Sequence, residues 1–123
     1  MLDTSVWVSA FRNEDADVTA RTRDMLTKDV VLTCGPILLE IRRGLKRRER
    51  ARLVPLLDAL RRVNFHEADW DEAGDLDAKL RQRGITIPPM DILIARLCLR
   101  ENLPLWTLDT HFESVPGLKL FVA

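Results

Sequence analysis

The stretch Thr86–Leu99, TIPPMDILIARLCL, constrains the fold of this chain more than any other. Ile92, Leu93, Ile94, Ala95, Leu97, Cys98 and Leu99 make a helix that is apolar on almost every side, and such a helix belongs in a core. Only Arg96 interrupts the run. A single carboxylate, Asp91, stands at its head. A charge beside buried surface is costly unless it is solvated, paired or bound to a cation. The fold must surround this helix and still give Asp91 a partner.

The rest of the chain alternates short apolar runs with amphipathic helices. Met1 and Leu2 form a very short first strand ending at Asp3, unless the natural chain begins earlier. Ser5 is a candidate cap for a short helix through Val6, Trp7, Val8 and Phe11. Residues 15–28 read as a helix with Val18, Thr22, Met25 and Leu26 on one face. Val30–Thr33 reads as a strand, broken by Gly35 and Pro36, and Pro36 suits the first turn of a helix reaching Gly44. Leu53, Leu56, Leu57 and Leu60 mark another helix, and Val63–Phe65 another strand. Asp69 is a candidate cap for a helix carrying Trp70, Ala73, Leu76 and Leu80 that stops at Gly84. Pro104–Leu108 and Leu118–Phe121 complete the strands. Strands separated by helices predict an α/β fold, a mainly parallel sheet with helices on both faces. Ligands of such sheets bind beyond the carboxyl ends of the strands.

Length and charge narrow the class. The 123 residues fit one domain, spanning 1–123. Nineteen basic residues balance nineteen acidic ones, so no global field draws the chain to nucleic acid or an anionic membrane. The start MLDTSVW lacks a basic region followed by an apolar run, so no secretion signal is expected, and no apolar run approaches the roughly 20 residues of a membrane span. Cys34 and Cys98 form neither a disulfide framework nor a zinc pattern. A reducing cytoplasm is the expected location.

Four acids stand out by position. Asp3 ends the first strand, Asp109 ends the strand PLWTL, and Glu40 and Asp91 lie on helices that follow strands. A parallel sheet brings these places to one edge. Glu40 shares a face with Ile37 and Gly44, beside the apolar stripe, and Gly44 leaves room next to it. Two carboxylates about 5 Å apart repel by roughly 3 kcal/mol at an effective dielectric near 20. The helix N-terminus under Asp91 offsets only about 0.3–1 kcal/mol. A divalent cation is the natural remedy, and an all-carboxylate donor set suits Mg²⁺ or Mn²⁺. Each acid also has an ordinary structural use: Asp91 opens a helix, Asp3 caps its own turn, Asp109 makes an Asx-turn and Glu40 is a half-exposed helix acid.

The segments LDTSVW, GPILLEIRRGL, TIPPMDILIARL and LWTLDTHFESVPGLKL resemble, in order and spacing, the PIN-domain ribonucleases, most nearly the VapC-type toxins of bacterial toxin–antitoxin pairs. The resemblance covers nearly the whole chain. It implies a PIN-like three-layer α/β/α domain and an endoribonuclease that depends on Mg²⁺ or Mn²⁺. Asp3, Glu40, Asp91 and Asp109 fall on the family's acidic quartet. Thr4, Ser5 and Thr107 fall where hydroxyls orient the acids. Asp109 completes the site directly, through water, or by holding a second ion. Many relatives carry a second acid two residues after the fourth; here that position is His111, read as a partner of the acids or as a solvated loop side chain. The resemblance further implies RNA as substrate, a small antitoxin that covers the acidic site, and a homodimer.

Arg42–Arg52 holds seven basic residues in eleven. Arg42, Arg43, Lys46 and Arg47 are the candidate RNA-backbone contacts, adjoining Glu40. The other reading is a solvated helix end favoured by the dipole. Aromatics for base stacking are few, three Trp and four Phe, and Trp7 and Trp70 are read as packing. Two other functions fit less well. A non-catalytic module on the same fold would use its acids only to dock a basic peptide. Phosphoryl transfer through an aspartyl nucleophile would want a D-x-D pattern that LDTS lacks.

Overall fold

A computed structural model describes residues 1–121. Six helices carry the fold: α1 (Thr4–Phe11), α2 (Ala16–Thr27), α3 (Gly35–Gly44), α4 (Arg47–Asp58), α5 (Glu67–Gln82) and α6 (Pro89–Arg100). Strands β1 (Leu32–Thr33) and β2 (Arg61–Arg62) pair in parallel, with Leu32 opposite Arg61. Two further parallel bridges join Leu2 to Trp106 and Leu105 to Leu120. Every strand contact described is parallel, as expected of strands separated by helices, and with six helices this is an α/β/α architecture.

The strands are shorter than the sequence suggests. Val30 is 60% exposed and lies outside β1, and the pairing expected at Val63–Phe65 begins two residues earlier, at Arg61. Apolar runs mark burial, whereas the ladder follows the backbone register. Val63 still donates to Thr33 O at 2.8 Å, so its side joins the edge without a strand of its own. The first strand is short but firmly held: Trp106 N donates to Met1 O and Asp3 N to Trp106 O, both at 2.9 Å.

Two helix caps also differ. Asp3, not Ser5, is the N-cap of α1, and Ser5 lies inside the helix. His66 rather than Asp69 precedes α5; Asp69 sits one turn in and accepts from the His66 amide at 2.7 Å. Gly84 ends that helix with φ 76°, the left-handed conformation that glycine adopts without a Cβ penalty.

Helix α6 sits where its composition demands. It packs on α5 and on α3, and α3 packs on α1 in turn. No residue from Met90 to Arg100 is exposed. Ile94, Ala95, Leu97 and Cys98 join Trp7, Ile37, Leu57, Leu80, Leu105 and Phe112 in one continuous core. Both cysteines are buried and free, and burial pushes the thiol of Cys34 up to about 11 and that of Cys98 up to about 12, so both act as packing. Arg96 finds its partner on α5: its Nε donates to Asp69 Oδ1 at 2.9 Å. Arg100 approaches the other oxygen of Asp69 at 3.5 Å. Burial alone would raise the pKa of Asp69, yet the His66 amide and the two guanidiniums outweigh it and hold the group below its ordinary value. Among the described residues no helix is long and apolar enough to cross a membrane.

Candidate metal centre

The edge at which the first strand and the Trp106 strand end also receives the starts of α1 and α6. Asp3 is there because Leu2 pairs with Trp106 and α1 begins at Thr4. It is buried, and its side chain caps nothing. Instead Asp3 Oδ2 accepts from Ser5 Oγ at 2.9 Å and from Thr107 Oγ1 at 2.8 Å. The same hydroxyls reach outward: Ser5 Oγ accepts from the Leu108 amide and Thr107 Oγ1 from the Asp109 amide, each at 3.0 Å. One chain of hydrogen bonds therefore fixes both Asp3 and the backbone at Asp109. Thr4, the third candidate hydroxyl, takes no part. Its Oγ1 is buried without a partner, because as the first residue of α1 it leaves Ser5 to reach Asp3.

Glu40 lies on α3 at the margin of its buried stripe of Ile37, Leu38 and Ile41. Its Oε1 is buried and has no hydrogen-bond partner. Burial pushes its pKa above the ordinary value, Asp91 and Asp3 push it further, and Arg43 pulls it back. A Cβ at Gly44 would meet nothing within 4 Å, so Gly44 borders open space.

Asp91 occupies the first turn of α6 and is 8% exposed. Burial raises its pKa, Asp3 adds to the rise, and His111 opposes it. The opposition has a visible cause: His111 Nε2 lies 2.7 Å from Asp91 Oδ2. Asp109 is more exposed and precedes the 3₁₀ turn Thr110–Ser114 without capping it. Burial raises its pKa, followed by the charge of Asp3, and a carboxyl contact with Asp3 adds to the rise.

Four segments distant in sequence thus deliver acids that feel one another's charge. Asp3 and Asp109 both precede helical turns, yet neither side chain makes the capping hydrogen bond that its ordinary use would require. Among the described residues no three His, Cys, Asp or Glu side chains stand close enough together to hold a metal ion as they lie. The donor set nonetheless fits a hydrated divalent cation. All four groups are carboxylates, Glu40 keeps a buried oxygen without a partner, and Mg²⁺ takes few protein ligands and retains waters.

His111 is the residue whose place in the site sequence reasoning left open. Its ring packs on the buried Phe112 with centroids 4.7 Å apart. A lone histidine in a loop carries little signal; its position two residues after Asp109 was the available one.

The basic segment straddles the end of α3 and the start of α4. Arg43 is exposed and lies close enough to influence Glu40. Lys46 and Arg47 are exposed as well. Arg42 is partly committed, with NH1 at 3.4 Å from Asp58. Trp7 is fully buried packing, as expected, but Trp70 is 53% exposed and stacks on Phe65 at 5.4 Å. With Ala73 and Gly74 it lines a shallow pocket against Pro89, Ile92 and Leu93 of α6.

A groove of about 290 Å³ separates α1, α2 and α4. Phe11, Leu26, Leu53 and Leu56 line it, and Arg23 and Arg52 reach it. Two buried polar atoms on its lining residues, Trp7 Nε1 and Thr22 Oγ1, have no partner.

The PIN domain family profile matches residues 1–118. The chain is 28% identical to VapC ribonuclease Mb1587 of Mycobacterium bovis over 120 residues, 94% of this chain and 90% of that one. It is 29% identical to ribonuclease VapC2 of Rickettsia felis over 127 residues, 98% of this chain and 94% of the relative. The crystal structure of VapBC2 from Rickettsia felis bound to a DNA fragment from its promoter contains a similar chain. That chain has a TM-score of 0.82 and 25% identity, and the match covers 98% of this chain and 96% of that one.

Proposed function

The chain belongs to the PIN domain family, and from that premise we propose that it is a Mg²⁺- or Mn²⁺-dependent endoribonuclease, the toxin of a toxin–antitoxin pair. One observation carries this reading. Glu40, Asp91 and Asp109 are all raised above their ordinary pKa values, by burial and by the charges of their fellow acids, and Glu40 holds a buried oxygen with no partner. Such a cluster is costly to a fold unless a cation compensates it.

Asp3, Glu40 and Asp91 would hold the ion, and Asp109 would complete the site from its more exposed edge. The bound ion supplies Lewis acidity toward a phosphodiester oxygen and toward a water. Ser5 and Thr107 keep Asp3 oriented through their hydrogen bonds to Oδ2. Arg43, Lys46 and Arg47 bind the RNA backbone beside the acids. No side chain serves as a covalent nucleophile.

The small antitoxin fits the groove between α1, α2 and α4. Apolar partner side chains would meet Leu26 and Leu56, and acids would meet Arg23 and Arg52. From there the partner covers the acidic site. A second copy of the chain is the further expected partner.

The test is cleavage of total cellular RNA by the purified protein with Mg²⁺ or Mn²⁺, beside an EDTA control and the Asp91→Asn variant. Discrete fragments that vanish in both controls support a metal-dependent nuclease. No cleavage by folded protein with either ion refutes it and favours a non-catalytic module whose acids dock a basic peptide.

A further inference from the structure

On the reading that the acids hold a divalent ion, we propose that His111 is a positioning residue that confines Asp91 to single-oxygen coordination and so favours a small octahedral ion over Ca²⁺. The hydrogen-bond pattern points this way. Asp91 Oδ2 is taken by His111 Nε2 at 2.7 Å. Asp3 Oδ2 is taken by Ser5 and Thr107 at 2.9 and 2.8 Å. Two carboxylates from different elements therefore each have one oxygen committed to the protein. Glu40 adds a buried Oε1 without a partner.

Bidentate coordination needs both oxygens of a carboxylate. Ca²⁺ takes six to eight oxygens and uses bidentate carboxylates freely, whereas Mg²⁺ demands near-ideal octahedral geometry and keeps several waters. With Asp3 and Asp91 each holding one oxygen to the protein, the centre has fewer bidentate options and matches the second ion better than the first. His111 is suited to enforce this. An ionised carboxylate only accepts hydrogen bonds, so Nε2 carries the proton. Phe112, fully buried, anchors the ring. The contact also ties the 3₁₀ turn after Asp109 to the first turn of α6, fixing two of the four acids relative to each other.

Outer partners of metal ligands typically contribute 10- to 100-fold in metal affinity. The experiment measures Mn²⁺ and Ca²⁺ binding to the full chain by titration calorimetry, with Mn²⁺ electron paramagnetic resonance as a second readout. It compares the wild type with His111→Ala and His111→Gln, each checked for an intact melting transition in EDTA. His111→Ala should weaken Mn²⁺ about 10-fold and weaken Ca²⁺ less, narrowing the ratio between them. His111→Gln should recover most of both effects, because its side-chain amide places a donor near the position of Nε2. Wild-type Mn²⁺ affinity and an unchanged ion ratio in His111→Ala would overturn the role of His111 while leaving the metal centre standing. So would a Gln variant no better than Ala. A wild type that binds neither ion would overturn both this inference and the proposed function.

Discussion

Replacing Asp91 by Asn should stabilise the metal-free protein and abolish its response to metal. Asp91 is 8% exposed, and the charge of Asp3 disfavours its ionised form. A carboxylate pair at about 5 Å repels by roughly 3 kcal/mol at an effective dielectric near 20, which sets the upper scale of the Asp3–Asp91 repulsion that the substitution removes. Against it stand two losses. The first-turn position in α6 favours a negative charge by about 0.3–1 kcal/mol. The 2.7 Å contact with His111 loses its charge assistance, although the Asn carbonyl still accepts, at a cost of roughly 1 kcal/mol. The net gain is about 1–2 kcal/mol, roughly 3–8 °C in melting temperature for a domain this size. Wild type should instead gain from the ion: Mn²⁺ at 100 times its dissociation constant stabilises by about 2.7 kcal/mol. The assay is thermal denaturation of both proteins in EDTA and across a Mn²⁺ series. A variant that melts below wild type in EDTA would refute the electrostatic reasoning. A variant with the wild-type Mn²⁺ shift would refute Asp91 as a ligand.

Four further outcomes follow from the same contacts. Glu40, Asp91 and Asp109 have raised pKa values in the fold, so they bind protons that the unfolded chain has already released. Their contribution to stability therefore falls as pH rises through the ordinary carboxylate range toward their folded values. In EDTA the stability difference between wild type and Asp91→Asn should close as pH falls to about 4 and open by neutrality; a pH-independent difference in urea titrations would contradict it. Asp69→Ala removes the acceptor of Arg96 and one partner of Arg100, which keeps Asn64 O and Glu101, and should cost about 1–3 kcal/mol by urea denaturation; a loss under about 0.5 kcal/mol would show the pair to be dispensable. Arg43→Ala should weaken binding of an RNA strand and lower the salt slope by about 0.7, while Arg42→Ala, partly paired to Asp58, should do less. Leu56→Glu should abolish capture of the cognate antitoxin and leave Mn²⁺ binding intact; retained capture would move the partner off the groove.

The acids were legible because topology alone places them. Strand ends and the helices after them meet at one edge of a parallel sheet, and Asp3, Glu40, Asp91 and Asp109 occupied those places. Burial of α6 was legible for the same kind of reason, since no exposed surface could accept its composition. Side-chain partnerships were not. Arg96 looked like a mere interruption because its counter-ion, Asp69, lies 27 residues away on α5. Asp69 looked like a cap because acids at helix starts usually are caps. Choosing Ser5 over Thr4 as the donor to Asp3 depends on which neighbour on the first turn of α1 faces the carboxylate. The strands contracted to one or two residues because hydrophobicity reports burial and not ladder register.

Asp69 and the four clustered acids together show how a structural carboxylate differs from a functional one. Asp69 is the least solvent-exposed acid described, 0% exposed, and burial by itself pushes its pKa up. Yet its pKa lies below the ordinary value, because an amide and two guanidiniums meet it. Glu40, Asp91 and Asp109 lie above their ordinary values, because burial disfavours their charge and the neighbouring acids add to that rise. Loss of solvent alone therefore does not separate the two kinds; what separates them is whether donors and positive charge meet the carboxylate and outweigh that loss. The protein tolerates the cluster by giving its members local compensation: two hydroxyls for Asp3, His111 and a helix start for Asp91, Arg43 for Glu40 and solvent for Asp109. Each compensation is partial. The remaining imbalance is what a divalent cation would correct, and a site that must take up an ion from water needs that imbalance before the ion arrives.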